Sequence, residues 1–221
     1  MAILLKQQAI IFDMDGLIID SEPLWHQAKL EVFAELGKID VLAATPQDTL
    51  GLRINEVVDL WYQESPWQGP SRLEISNRII ERALEIIEQK KPLLPGVMQA
   101  LILASECRLK IGLASASPLF ILERVLEMFS LRRYFHVIAS AEQLTYSKPH
   151  PEVYLRAADD LDVKPMRCSA LEDSINGMIA TRAARMRSIV VPDAGMRDDP
   201  CWCLAQVQLP TLLALEATHI L

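Results

Sequence analysis

The chain has 221 residues, with 22 Lys and Arg against 29 Asp and Glu and a formal net charge of -7. That balance argues against nonspecific nucleic-acid binding, which draws on clustered basic residues. Hydrophobic residues make up 51% of the chain, yet charge interrupts every apolar run before the roughly 18 residues a membrane helix needs. A soluble, cytoplasmic protein is expected, with neither a membrane nor a nucleic-acid partner.

The opening stretch MAILLKQQAIIFD holds one Lys in a short apolar run and no small-residue cleavage site, so it reads as a first strand and not as a signal peptide. Asp13 and Asp15 follow its apolar half directly. From Leu17 to about Gln89 there is no strand-like run and several helical ones. One helix begins at Glu22-Pro23, carries Leu24, Ala28, Val32, Phe33 and Leu36 on one side, and stops at Gly37. Another begins with the capping-box spacing Ser71 and Glu74 and continues through Leu73, Ile79, Ile80, Ala83, Leu84 and Ile87. Pro92, Pro95 and Gly96 close this insertion, and a further helix follows from Val97.

Four more apolar runs come later: KIGLA into Ser115, FHVIAS, CSAL into Glu172, and SIVV into Pro192. With helical segments between them they predict an α/β fold, a Rossmann-like parallel sheet with an inserted α-helical cap. The core is expected at 1–16 and 90–221, and the cap at 17–89. "TRAARMR", from Thr181 to Arg187, reads as a packed helix with a solvated face. His136, inside an apolar strand, reads as a satisfied core residue, and His150 as a structural loop residue. Cys201 and Cys203 lack a second Cys or His pair nearby and read as partly buried, reduced thiols beside Cys107 and Cys168.

Ligands of open parallel sheets bind outside the carboxyl ends of the strands. There the chain places Asp13 and Asp15, Ser115, Glu172 and Asp173, with Lys148 a few residues beyond the third strand. Two ionised carboxylates about 4 Å apart cost roughly 4 kcal/mol at an effective dielectric near 20, so Asp13, Asp15 and Asp173 together call for a cation. All-oxygen ligands suit Mg²⁺, which shares its remaining positions with a substrate phosphate. Lys148 adds positive charge, and Ser117-Pro118 reads as a helix N-cap and first turn directing backbone N–H groups at an anion. Two Asp side chains flanking a phosphate can divide nucleophilic attack and proton transfer between them.

These residues resemble the haloacid dehalogenase superfamily of aspartate-nucleophile phosphotransferases. "DMDG", the apolar run into Ser115, "SKPHPEVY" and "LEDSINGM" resemble its four motifs, and the helical insertion resembles the small cap of one branch. The resemblance implies Asp13 as nucleophile and Asp15 as general acid and base. It implies Mg²⁺, with Mn²⁺ or Co²⁺ substituting, held by Asp13, Asp173 and the Asp15 backbone carbonyl, with Glu172 as a ligand or a supporting partner. Ser115, the Ala116 backbone and Lys148 would grip the phosphate.

"FDMDGLIIDSEPLW", "DTLGLR" and "PWQGPSR" are similar to bacterial sugar phosphatases acting on 2-deoxyglucose 6-phosphate and hexitol phosphates. That implies a small phosphorylated sugar as substrate and a monomeric enzyme. Trp25, Gly51 and Arg53 are the cap candidates for selecting it. Trp25 reads equally as a core aromatic and Arg53 as a solvated helix-start residue. The alternatives are a β-phosphoglucomutase-like phosphomutase, whose cap His is replaced here by Trp25, and a non-catalytic sugar-phosphate binder. A phosphonatase would need a cap Lys; Lys29 is one of two lysines between Leu17 and Glu88 and is expected on an exposed helix face.

Overall fold

In a computed structural model that describes residues 6–37 and 49–221, the strands are β1 (Ala9–Phe12), β2 (Lys110–Ser115), β3 (Val137–Ser140), β4 (Cys168–Glu172), β5 (Arg187–Val190) and β6 (Val207–Gln208). All pair in parallel, in the order β3-β2-β1-β4-β5-β6. Five of these strands lie in the five apolar runs. The sixth has two residues, too short to leave a run of its own, and pairs through Ile189 with Val207.

The helices are α1 (Glu22–Glu35), α2 (Ile54–Glu64), α3 (Arg72–Lys90), α4 (Val97–Glu106), α5 (Leu119–Met128), α6 (Glu152–Asp160), α7 (Ile175–Ala183) and α8 (Ala217–Ile220). Every residue of β1 is fully buried, because the sheet is covered on both faces. Ile10 and Phe12 face a core shared with Val97 and Leu101 of α4 and Leu122 of α5. Ile11 faces the opposite one, with Tyr154 and Ala157 of α6 and Ala180 of α7. A strand with two apolar faces must be apolar throughout, which is why AIIF shows no alternation.

Between β1 and α4 the chain builds a helical layer of α1, α2 and α3. Leu24, Ala28, Val32 and Phe33 of α1 are buried as their spacing requires. Phe33 meets the ring edges of Trp61 and Trp67 at centroid distances of 5.4 and 5.8 Å. The Ser71 hydroxyl caps α3 by accepting from the Glu74 N–H at 3.2 Å. The Glu74 carboxylate pairs with Arg78 instead of completing a capping box. Two connections join this layer to the sheet and lie side by side: the Leu94 N–H donates to the Ile18 carbonyl and the Asp20 N–H to the Pro92 carbonyl, at 2.9 and 2.8 Å.

Several local expectations change. "TRAARMR" is helical only to Ala183; Arg185 turns with φ 63° and Arg187 already belongs to β5. His136 is exposed at the sheet margin, where its Nδ1 accepts from the Ile111 N–H at 3.1 Å. Cys201 and Cys203 are exposed, not partly buried, while Cys168 is buried and Cys107 half-buried. No described helix is long and apolar enough to cross a membrane. The Asp48 end of "DTLGLR" and the first five residues lie outside the described residues.

Candidate active site

The register of the sheet decides what meets at its carboxyl edge. Phe12 of β1 stands opposite Leu171 of β4 and Leu113 of β2, so the next residues out, Asp13 and Glu172, are neighbours across the β1–β4 seam. The Asp13 N–H extends that ladder to the Leu171 carbonyl at 3.1 Å. Met14 turns into the core, fully buried, while Asp13 and Asp15 on either side of it line a cavity of about 280 Å³. That volume suits one small molecule. Ser115, Ala116, Lys148 and Asp173 line the same cavity, and so do Trp25, Gly51 and Arg53 of the helical layer.

At its floor Lys148, 1% exposed, donates to Asp13 Oδ1 at 2.7 Å and to Glu172 Oε1 at 2.6 Å. Burial alone would lower the Lys148 pKa, but the carboxylates of Asp13 and Glu172 outweigh it and hold the ammonium above its ordinary value. Asp13 is pushed up to about 8, by burial first and then by the charges of Glu172 and Asp15, against the pull of Lys148. Asp173 is raised well above its ordinary value by burial and by Glu172 and Asp13.

Among the described residues no hydrogen-bond donor engages the Asp173 carboxylate, and Lys148 alone engages that of Asp13. Carboxylates this close without donors fit a cation. Oxygens of Asp13, Glu172 and Asp173 come within 4.8 Å of one another, the one such group of three among the described residues. Glu172 has little left to offer an ion. Its Oε1 accepts from Lys148 and Tyr154, and its Oε2 from the N–H groups of Asp173 and Ser174 and from the Ser174 hydroxyl. Those five donors use up the lone pairs of a carboxylate. Two glycines make room here. A Cβ on Gly177 would sit 1.9 Å from the Glu172 carboxylate, and one on Gly16, at φ 74°, would sit 2.0 Å from Asp173 Oδ2.

Asp15 is held from above. Its Oδ1 accepts from the Ser21 hydroxyl at 2.6 Å and from Trp25 Nε1 at 2.9 Å, and its Oδ2 from the Ser117 hydroxyl at 2.7 Å. Ser21 therefore leaves the start of α1 without a side-chain cap. Ser117 is not the N-cap of α5 either; that position falls to Pro118. Ser117 instead donates its backbone N–H to Ser115 Oγ at 3.0 Å, in a turn whose residues 115–118 all line the cavity.

The two remaining cap candidates touch the sheet domain. Arg53 is not a solvated helix-start residue: its Nη1 donates to the carbonyls of Ala141 and Leu144 at 3.1 and 2.9 Å and its Nε and Nη2 bind Glu56, which uses four of its five N–H groups while it lines the cavity. Gly51, at φ 78°, passes so close to α7 that a Cβ would lie 2.7 Å from Ser174 Oγ. Next to it the Leu50 carbonyl accepts from Asn176 Nδ2 at 2.8 Å. His150 is an exposed loop residue tilted against Tyr146.

Glu22 and Lys29 also line the cavity. Lys29 is half-buried, not on an exposed face; burial lowers its pKa, with Glu22 opposing the shift. Burial and the charge of Asp15 push Glu22 up to about 7. Sequence reasoning passed over Glu22, Ser21 and Tyr154. The period of α1 carries the one available signal, since Glu22, Trp25 and Lys29 fall on one helical stripe.

A sequence model of the haloacid dehalogenase-like hydrolases matches residues 10–191, a span that holds every one of these residues. The chain belongs to the haloacid dehalogenase-like hydrolase family. Within this family it is 58% identical to hexitol phosphatase B of Escherichia coli K12, over 96% of each chain. Its fold is shared with CbbY of Rhodobacter sphaeroides, solved with phosphate, at 27% identity over 97% of this chain and 99% of that one, TM-score 0.82. A second CbbY structure, a mutant holding xylulose-1,5-bisphosphate, superposes over the same shares with a TM-score of 0.81 at 26% identity. The parallel Rossmann-like sheet of this chain carries α1, α2 and α3 between its first strand and α4.

Proposed function

We propose that this haloacid dehalogenase-like hydrolase is a magnesium-dependent phosphomonoesterase for small sugar or sugar-alcohol phosphates, including 2-deoxyglucose 6-phosphate and hexitol phosphates. The observation that carries this reading is Asp13, anchored by one carboxylate oxygen to Lys148 at 2.7 Å while no described donor engages the other. The likeness to hexitol phosphatase B supports the substrate class.

In this reading Asp13 attacks phosphorus through its unengaged oxygen and forms an aspartyl phosphate. Asp15 gives a proton to the leaving oxygen and then takes one from the water that hydrolyses the intermediate. Lys148 holds Asp13 in line and, with Ser115 and the Ala116 backbone, faces the phosphate oxygens. Asp13 and Asp173, with the Asp15 backbone carbonyl, would hold Mg²⁺, and Mn²⁺ or Co²⁺ in its place; the ion supplies charge neutralisation for the phosphate and the carboxylates. Glu172 holds Lys148 and the start of α7 and leaves the ion to its neighbours.

Residues 17–89 act as the cap, covering the site and keeping out bulk water. The residues assigned to the site all come from one chain, which supports a monomer, and the acidic balance of the chain with no membrane-length apolar helix among the described residues supports a cytoplasmic enzyme. The test is Asp13→Asn, assayed for inorganic phosphate release. It should abolish turnover with the circular dichroism spectrum unchanged; wild-type release would remove Asp13 as nucleophile. Phosphate that is redistributed on the sugar without being released would point to a mutase.

A further inference from the structure

Most polar groups along the cavity wall are already engaged. Asp15 has three donors, Lys148 has two carboxylates, Arg53 has Glu56 and two carbonyls, and the Ser76 hydroxyl donates to the Arg72 carbonyl. Neutral side chains such as the amides of Asn55 and Asn77 aside, the unengaged groups apart from Asp173 at the metal end are Glu22 and Lys29, the one unengaged pair of opposite charge among the described residues of the wall. Among the described residues neither makes a hydrogen bond or an ion pair, and the one contact of the Lys29 ammonium is the Trp61 ring, 5.8 Å from its centroid. Both sit on α1 two turns apart, with Trp25 between them on the same stripe. The stripe covers about 10 Å of helix, starting near Asp15 and leading away from the phosphate end.

We infer that Lys29 and Glu22 are the specificity-determining pair of the cap, reading the hydroxyls of an uncharged polyol chain and rejecting substrates with a second anionic group. The inference rests on the phosphatase reading above. A hydroxyl both donates and accepts, so an ammonium with free N–H groups and a carboxylate with free lone pairs on one wall match neighbouring hydroxyls. Trp25, Leu73 and Ile80, which line the same cavity, supply the apolar surface that C–H groups need.

Charge sets the other half of the selection. Carboxylates outnumber cations along the wall by five to three, and two of those cations, Arg53 and Lys148, are already paired. Lys29 is the one lining cation with no ion pair among the described residues, and Glu22 interacts with it electrostatically from the same helix. A bisphosphate such as the one held by CbbY would bring two charges with one partly compensated cation to receive them.

The test compares a hexitol 6-phosphate, the matching hexitol 1,6-bisphosphate and p-nitrophenyl phosphate on the same preparations of wild type, Lys29→Met, Lys29→Arg and Glu22→Gln. The aryl phosphate offers no hydroxyl and so normalises each variant for folding and for the chemical step. Lys29→Met should lower kcat/KM for the hexitol phosphate at least tenfold more than for the aryl phosphate. Lys29→Arg should recover part of that loss, and Glu22→Gln should narrow the preference of the wild type for monophosphate over bisphosphate. Equal losses on hexitol and aryl substrates, or a wild type that takes the bisphosphate as readily as the monophosphate, would overturn the inference and leave the phosphatase reading standing. No phosphate release from any of the three substrates would overturn both.

Discussion

Trp25 Nε1 donates to Asp15 Oδ1 at 2.9 Å, so a residue of the helical layer positions an acid in the turn after β1. The indole is 9% exposed: it packs as a core aromatic and also holds Asp15. Trp25→Phe keeps the packing and removes the donor. A hydrogen bond to a charged group contributes about 1.5 kcal/mol or more, so kcat/KM for phosphate release should fall by about tenfold. Steady-state kinetics on hexitol phosphate checks this, and an unchanged rate would show that Ser21 and Ser117 suffice to hold Asp15.

Arg53 spans the gap between the helical layer and the turn after β3, through the carbonyls of Ala141 and Leu144. Arg53→Met removes the donor of the Leu144 carbonyl and one of two at the Ala141 carbonyl, which keeps the Leu144 N–H, at a cost of about 1–3 kcal/mol for a carbonyl left buried and unpaired. The contact loosens instead where water can enter. Amide hydrogen exchange should accelerate at 50–58 and at 141–144, with little change in α6. Unchanged exchange at both segments would mean that Gly51 and Asn176 hold the two layers together unaided.

The carboxylates set a pH dependence for the metal-free protein. Folded Asp13 keeps its proton up to about pH 8, against an ordinary value of 3.8. Between these values the native state binds more protons than the unfolded chain, so stability falls as pH rises through the window. Asp173 is shifted in the same direction and Glu22, at about 7, adds to the slope. Lys148 is held above its ordinary value and stays charged throughout. In chelator, the urea midpoint should drop from pH 5 to pH 8. Mg²⁺ at a hundred times its dissociation constant should restore about 2.7 kcal/mol at pH 8. A flat profile in chelator, or no gain with Mg²⁺, would contradict the carboxylate cluster.

Much of the site is legible before any coordinates. An apolar run long enough for one buried strand, ending in Asp13 and Asp15, already says that acids stand at a carboxyl edge. Ser115, Lys148 and Asp173 follow from the same rule applied to the later strands. The rule works because parallel strands buried on both faces have one place for polar groups, their ends, and the shared direction puts all those ends together. The sequence by itself determined the α/β class, the helical insertion and these five positions.

Tertiary structure decided who partners whom. Glu172 looks in sequence like one more acid for a metal, and only the convergence of Lys148, Tyr154 and the start of α7 shows its lone pairs to be used up. Arg53 reads as a solvated helix-start residue and instead reaches carbonyls 88 and 91 residues away. Lys29 looks exposed and lines the cavity instead. The physical reason is common to all three. Helical and strand periodicity tell which residues share a face, but a hydrogen bond or an ion pair depends on what lies opposite, and that is set by the docking of one layer on another.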